Sequence, residues 1–180
     1  MVAAGTVWTM TEIDPQRTAL VLVDLMERVV ALPLAPRSGD EVAGTAAELA
    51  RAFRKAGAPV AVVRVERPGL AEQPPGSGLL AGLAEPGDIE IVKRSVGAFH
   101  GTELDARLRE RGVRTLVLAG IATNLGVEST ARAAVDHGYE VVFVEDAMSA
   151  LTAEEHRASV ALDMPRLGTV VTAGALVLPE

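Results

Sequence analysis

The chain has 180 residues, of which 49% are hydrophobic and only 3% aromatic, and its formal net charge is −7. This length is enough for one domain with a full core, which Ala, Val and Leu must fill. The acidic balance and the scattered Lys and Arg residues argue against a nucleic-acid partner, because phosphate binding needs a basic face. The chain has no cysteine, which excludes disulfides, thiolate metal sites and cysteine nucleophiles.

The N-terminal segment MVAAGTVWTMTEIDPQ lacks the basic region and long apolar stretch of a signal peptide. No uninterrupted apolar run approaches the length of a membrane span. We therefore expect a cytoplasmic protein that binds no membrane. No repeat, linker or low-complexity tract interrupts the chain, so residues 1–180 are predicted to form a single domain.

The first half of the chain alternates apolar runs with one amphipathic segment. ALVLV, 19–23, and PVAVVRV, 59–65, are predicted to be strands buried on both faces. Between them, apolar residues at helical spacing predict a helix over 40–56, followed by Gly57 at its C-terminal end. The segment 67–87 is rich in Pro and Gly and is predicted to be a long surface loop.

The second half continues this alternation of strand and helix. The predicted strands are 88–94, 115–120 and 140–146, with a last strand and turn within 168–178; the predicted helices are 101–112 with Thr102 as N-cap, 127–138, and 152–164 with a Thr152–Glu155 capping box. Apolar strands without a solvent face, alternating with helices, indicate a parallel sheet covered on both sides. The predicted fold is therefore α/β, with three α/β/α layers and a mostly parallel, Rossmann-like sheet.

Polar features follow three of the predicted strands. Asp24 comes directly after the first strand, Lys93 lies at the end of the 88–94 strand, and the glycine-rich bend 120–126 follows the 115–120 strand. Ligands of open parallel sheets bind beyond the carboxyl ends of the strands. An acid, an amine and a bend leading into a helix can therefore converge on one pocket.

Each of these features also has a purely structural explanation. Asp24 can cap a short helix that follows it, Lys93 can reach along the surface to water, and the bend can serve close packing of strand and helix. The sequence leaves these alternatives open. His100, His137 and His156 show no metal-ligand spacing, so we assign them to surface or packing roles and expect no metal.

Two longer segments resemble a known family. ALVLVDLMERVV and KRSVGAFHGTELDARLRERGVRTLVLAGIATNLGVESTARAAVDHGYEVVFVEDAMSA are similar to the isochorismatase-like hydrolase superfamily, from about residue 19 to 160. The GIAT bend, the VESTA helix and the VEDA strand end are the most specific parts. The resemblance implies that Asp24 is the catalytic aspartate and Lys93 the catalytic lysine. It also implies a non-proline cis peptide between Ile121 and Ala122.

Gly126 is the main departure from the family pattern. Most members are amidases with a cysteine at this position, whereas the branch that hydrolyses the vinyl ether of isochorismate lacks it. The chain resembles that branch in having glycine there. The resemblance therefore implies a cofactor-independent hydrolase that acts on a small carboxylate-bearing substrate. The candidate substrate-binding residues are Thr123, Asn124, Leu125 and Phe99.

A vinyl ether can be cleaved without a nucleophilic side chain. Protonation of its methylene carbon gives an oxocarbenium ion, to which water adds, so Asp24 as general acid and one positioned water are enough. Lys93 then binds the substrate carboxylate or holds the aspartate, and the N–H groups at the start of the helix after Gly126 can bind a carboxylate. Two effects on the pKa of Asp24 conflict, because burial raises it and a nearby ammonium lowers it.

Two further regions depart from the family pattern. Isochorismate-cleaving members carry a glutamine at the position aligned with Val65, and metal-binding members have a histidine cluster that ERVVALPLAPRSG lacks. The missing cysteine and Val65 favour an alternative, a catalytically silent relative that binds a small molecule or a partner. Ala131, Ala133 and Ala134 permit close helix packing, and the resemblance implies a homodimer or homotetramer.

Overall fold

The structure is a computed structural model that describes residues 10–179. The strands are β1 (Thr11–Glu12), β2 (Thr18–Val23), β3 (Val60–Val65), β4 (Ile89–Lys93), β5 (Thr115–Ile121), β6 (Glu140–Ser149), β7 (Thr169–Val171) and β8 (Leu176–Val177). The α-helices are α1 (Glu27–Val30), α2 (Gly39–Lys55), α3 (Leu104–Glu110), α4 (Glu128–Asp136), α5 (Ala153–Ala158) and α6 (Met164–Leu167). Turns of π-helix cover Thr123–Val127 and Ser159–Asp163, and a 3₁₀ turn covers Ala173–Ala175.

The central sheet has six strands in the order β4-β3-β2-β5-β6-β7, and all neighbouring strands run parallel. The chain builds outward from β2 to β4 and then returns to the other side of β2 with β5. Strand order therefore reverses between β2 and β5, which is the place where open α/β sheets bind ligands at their carboxyl edge. The predicted α/β fold with a parallel sheet flanked by helices is confirmed.

Apolar clusters cover both faces of this sheet. Leu20 and Leu22 of β2 belong to the cluster that includes α2, whereas Val21 belongs to the cluster that includes α3 and α4. Alternate residues of one strand thus enter opposite cores, as in a sheet with helices on both sides. Ala131 and Ala134 are buried in the second cluster of the same chain. These alanines therefore give no support to a subunit contact, and the oligomeric state stays a prediction.

The helix predicted over 101–112 is shorter in the structure, where α3 begins after Glu103. Glu103 is its N-cap residue, one position after the predicted Thr102, whose hydroxyl oxygen accepts from the N–H of Leu104 at 3.3 Å and donates to the carbonyl oxygen of Ala98 at 2.6 Å. The strand predicted over 140–146 continues to Ser149. The short strand β1, which pairs with β8, was not predicted, since two residues carry no periodicity.

The segment predicted as one helix over 152–164 opens with the predicted capping box of Thr152 and Glu155. It then passes through a π-helical turn before α6. Pro165 lies in the first turn of α6 and lacks the N–H that a continuous α-helix needs, so the backbone widens before it. Within residues 10–179, no helix is both long and apolar enough to cross a bilayer.

Candidate active site

Asp24 occupies the switch point between β2 and β5. Its φ is 54°, in the left-handed region, which Asp tolerates better than most residues at a cost of about 1–2 kcal/mol. The following helix α1 begins after Met26 and has no side-chain cap. The capping explanation for Asp24 is therefore wrong, and its side chain, only 7% exposed as a residue, is directed to other partners.

Lys93 is one of those partners and is only 2% exposed. Its Nζ lies 2.8 Å from Asp24 Oδ2 and also donates to the carbonyl oxygens of Val96, at 2.8 Å, and Ser95, at 3.2 Å. Three oxygen atoms match the three N–H groups of an ammonium. Lys93 is thus neither a surface lysine nor a free donor for a substrate carboxylate, because it holds the aspartate.

The second carboxyl oxygen of Asp24 is different. Oδ1 is buried and has no hydrogen-bond partner among the described residues. Burial raises the pKa of Asp24 above its usual range, and this effect outweighs the opposing charges of Lys93 and Arg28. Of the two opposing effects on the pKa of Asp24 named in the sequence analysis, burial is therefore the larger. A carboxyl with a raised pKa keeps its proton to higher pH, as a general acid requires.

Gly126 lies beside this carboxyl, with little room for a side chain. A Cβ at Gly126 would lie 3.2 Å from Asp24 Oδ2 and 3.0 Å from Val23 Cγ1. Gly120 has a different role, because a Cβ there would lie 2.1 Å from the carbonyl oxygen of Val23. The packing explanation for the bend therefore holds for Gly120, which lets β5 approach β2, while Gly126 borders the site.

The turn between these glycines contains the implied cis peptide, between Ile121 and Ala122. The helical segment begins at Thr123, earlier than the sequence pattern indicated. As a result, the N–H of Val127 donates to the carbonyl of Ala122 at 3.2 Å, and the N–H of Glu128 donates to the carbonyl of Thr123. These two N–H groups are used within the turn, so neither is a free donor for a substrate carboxylate.

A cleft of about 420 Å³ opens over Asp24 and Lys93. Its lining includes Ile121, Ala122, Leu125 and Gly126 from the turn, aliphatic residues after β2 and β3, and the charged residues Glu66, Arg67 and Arg94. A larger cavity of about 580 Å³ lies at the opposite edge of the sheet, around Arg54 and Asp88. Those two side chains already pair with each other at 2.6 Å, so the smaller cleft is the candidate active site.

Three of the candidate substrate-binding residues do not line this cleft. Phe99 is buried in the core and stacks on His137, with ring centroids 4.9 Å apart. Thr123 is fully buried, and Asn124 is partly buried with an unpartnered Oδ1. Of the four candidates, only Leu125 reaches the cleft, because the π-helical turn directs Thr123 and Asn124 elsewhere.

No sequence motif pointed to a second polar cluster behind this turn. Thr123 Oγ1 lies 2.8 Å from His156 Nδ1, and His156 Nε2 lies 3.2 Å from Glu145 Oε1. Arg37 binds both carboxylate oxygens of Glu145, at 3.1 to 3.2 Å. We call Thr123, His156, Glu145 and Arg37 the His156 cluster. A lone histidine gives no information on partners so distant in sequence, so only the fold reveals this arrangement.

The His156 cluster differs from a nucleophilic triad, although it contains a hydroxyl, an imidazole and a carboxylate. Thr123 and His156 are buried, and neither lines the cleft. The hydrogen bond from His156 and the charge of Arg37 lower the pKa of Glu145. The cluster therefore connects the turn to α5 and β6 through hydrogen bonds. Across the described part of the chain, no three His, Asp or Glu side chains come together as metal ligands.

Comparison with known proteins finds relatives along most of the chain. The isochorismatase domain family matches residues 18–175. The isochorismatase family protein YecD of Escherichia coli O157:H7 is 42% identical over 178 residues, covering 89% of this chain and 95% of that protein. The ureidoacrylate amidohydrolase RutB of Methylobacterium radiotolerans is 34% identical over 191 residues, covering 83% of this chain and 74% of that protein.

The structural comparison gives the same result. An isochorismatase family protein from Burkholderia thailandensis superposes with a TM-score of 0.85 and 37% identity, covering 93% of this chain and 97% of that chain. The residues 18–175 that the family model matches include all six strands of the central sheet, and with them Asp24 and Lys93. The chain therefore belongs to the isochorismatase family, whose members are hydrolases.

Proposed function

We propose that the chain hydrolyses a small carboxylate-bearing vinyl ether by proton transfer from Asp24, without a covalent intermediate. The observation that carries this proposal is the carboxyl group of Asp24 at the cleft, with one oxygen held by Lys93 and the other unpartnered. Position 126, beside it, has no side chain and so provides no nucleophile. Proton donation is the chemistry left to this site.

The reaction needs one proton to enter and one water to be consumed. Asp24 gives its proton to the methylene carbon, whose π electrons form the new C–H bond, and the ether oxygen stabilises the resulting oxocarbenium ion. Water adds to the cationic carbon and returns a proton to the Asp24 carboxylate. The hemiketal then breaks its C–O bond as its hydroxyl loses a proton to form the carbonyl and the leaving oxygen gains one, which gives pyruvate and an alcohol.

Lys93 supports the charge that appears on Asp24 during this cycle. Its Nζ, 2.8 Å from Oδ2, stabilises the carboxylate after the proton has left. Because Lys93 has used its N–H groups, the substrate carboxylate is bound by cations at the rim of the cleft, Arg67 and Arg94. Amide hydrolysis through a thioester, for which the family amidases carry a cysteine, is excluded by composition.

A catalytically silent relative is the second candidate, favoured by the missing nucleophile at Gly126 and by Val65 in the cleft lining. Such a protein would bind a small molecule in the same cleft and leave it unchanged. Binding without turnover, unaffected by Asp24→Asn, would favour this candidate.

Pyruvate release from isochorismate and related enolpyruvyl ethers tests the proposal. We expect Asp24→Asn to reduce kcat by about 10²- to 10⁴-fold, the contribution of a general acid. Asp136→Asn, at an exposed position at the end of α4, is the matched control and should keep the parent rate. The kcat of the parent should fall as the pH rises through the pKa of Asp24. No release from any substrate, or equal release by the parent and Asp24→Asn, would overturn the proposal.

A further inference from the structure

Most of the cleft wall is aliphatic. Side chains from α1, the segment after it, the end of β3, the turn after β5 and the end of β6 meet around the Asp24 carboxyl: Val29, Leu32, Leu34, Val65, Leu125 and Leu151. Ser95 also lines the cleft, but its hydroxyl already donates to the carbonyl of Gly97 at 2.9 Å. The wall therefore has little to offer to the hydroxyl groups of a ligand.

Three of these leucines are largely exposed to solvent, unlike the leucines of the core. Leu32 is 43% exposed, Leu125 49% and Leu151 50%, and all three border the same cleft. Single exposed apolar residues are ordinary, but several around one concave site indicate a surface that a ligand covers.

The rim of the cleft carries an excess of positive charge, although the chain as a whole carries −7. Glu66 pairs with both Arg64 and Arg94 at 2.8 Å, so one carboxylate faces two guanidinium groups. Arg67 is exposed, and within residues 10–179 its guanidinium forms no hydrogen bond or ion pair. It is therefore available to an anionic ligand, to which it can donate two parallel hydrogen bonds.

We infer that the substrate has an aliphatic body and one carboxylate, with the carboxylate at Arg67 and the body against the leucine walls. The inference rests on the proposed function for the position of the reacting bond at Asp24. A polyhydroxylated substrate would leave its hydroxyl groups without partners against these walls, which costs binding free energy. The alcohol released by the reaction is accordingly an aliphatic one.

Straight-chain carboxylates test this inference without any reaction, because they have no bond to cleave. Acetate, butanoate, hexanoate and octanoate are titrated into the parent protein by calorimetry. We expect the dissociation constant to fall about two- to fourfold for each added methylene group until the walls are covered. Hexanamide, which has the same chain but no charge, should bind about tenfold or more weakly than hexanoate.

Substitutions then assign the two parts of the site. Arg67→Gln should weaken hexanoate binding about tenfold, whereas Arg111→Gln, at the opposite edge of the sheet, should leave it unchanged. Leu151→Asn should flatten the dependence on chain length, whereas Leu162→Asn, at a position 62% exposed and outside the cleft, should not. The ligand series on the parent protein needs no variant, so misfolding of a variant does not remove the test.

Two outcomes would overturn the inference: affinity that does not depend on chain length, and equal affinity for hexanoate and hexanamide. Pyruvate release together with either result would leave the proposed function intact and remove only the aliphatic specificity. Binding that depends on chain length, without pyruvate release from any enolpyruvyl ether, would support the aliphatic specificity and overturn the proposed function.

Discussion

The turn after β5 contacts two polar clusters that differ in how completely their members are hydrogen-bonded. On one side, Gly126 borders the pair of Asp24 and Lys93, where one carboxyl oxygen has no partner among the described residues. On the other side, Thr123 enters the His156 cluster, in which hydroxyl, imidazole, carboxylate and guanidinium all have partners. A complete network stabilises a fold, whereas an incomplete one costs free energy.

The difference extends to the acids themselves. Burial raises the pKa of Asp24, whereas the hydrogen bond from His156 lowers the pKa of Glu145. Asp24 is thus held ready to give a proton, and Glu145 is held as a carboxylate that accepts hydrogen bonds. We therefore propose a chemical role for Asp24 and a structural role for Glu145, and variants of each can test that division.

The largest expected loss of stability comes from Glu145→Ala, which leaves His156 and Arg37 without their common acceptor. We expect the free energy of unfolding in urea at pH 7 to fall by about 2–3 kcal/mol. Asp24→Asn should lower it by less than Glu145→Ala does, because the amide oxygen can still accept from Lys93 and the carboxyl it replaces is only partly satisfied. Glu48→Ala, at an exposed position in α2, controls for loss of a surface charge. Equal losses for Glu145→Ala and Asp24→Asn would break the comparison.

Thr123→Val is a smaller change in the same cluster. It keeps the shape of the side chain and removes the 2.8 Å hydrogen bond to His156 Nδ1. Thermal or urea unfolding should show a loss of about 1–2 kcal/mol. Thr45→Val removes an exposed hydroxyl that donates to the carbonyl of Glu41 and should change stability by less than about 0.5 kcal/mol. A loss no greater than that of Thr45→Val would show that the His156 cluster does not support the turn.

Gly126→Ala tests the space beside Asp24. The added methyl carbon meets Val23 and Asp24 at 3.0 and 3.2 Å, so we expect a loss of about 1 kcal/mol in stability. Turnover should fall more than stability indicates, because the methyl group narrows the approach to the carboxyl. Gly44→Ala, where nothing lies within 4 Å, should instead stabilise α2 by about 0.5–1 kcal/mol. Unchanged turnover in Gly126→Ala would place the reacting group elsewhere in the cleft.

The pH dependence of stability should have opposite signs for the two acids. Above its ordinary value of 3.8, Asp24 still holds its proton in the folded state but loses it in the unfolded state. Its contribution to stability therefore falls as the pH rises through the folded pKa. Glu145 keeps its charge in the folded state below 4.5, so its contribution is present above that value and is lost as the pH falls through the lower folded pKa.

Urea unfolding from pH 3 to pH 8 measures both contributions, with Asp24→Asn and Glu145→Gln each compared with the parent. As the pH rises, the stability of the parent should fall relative to that of Asp24→Asn and increase relative to that of Glu145→Gln. Slopes of the same sign would contradict the assignment of the two acids to different roles.

Much of the fold was predictable from the sequence, because its signals are local. β2 and β3 are continuous apolar runs, and the spacing of Val42, Leu49 and Phe53 marks one face of α2. The capping box at Thr152 likewise lies within four residues. Local patterns did not predict the π-helical turn that starts at Thr123 or the late start of helix α3.

The sequence by itself determined the α/β architecture and the presence of an acid, an amine and a glycine bend at strand ends, since parallel strands end on a common edge. Only the tertiary structure decided what these groups do. In the structure, the N–H groups of Lys93 bind Asp24 and two carbonyl oxygens, and Phe99 lies in the core. Arg37 pairs with Glu145, which is 108 residues away in the chain. Side-chain pairing over such separations leaves no periodicity in the chain, because it depends on how distant elements pack and not on the residues between them.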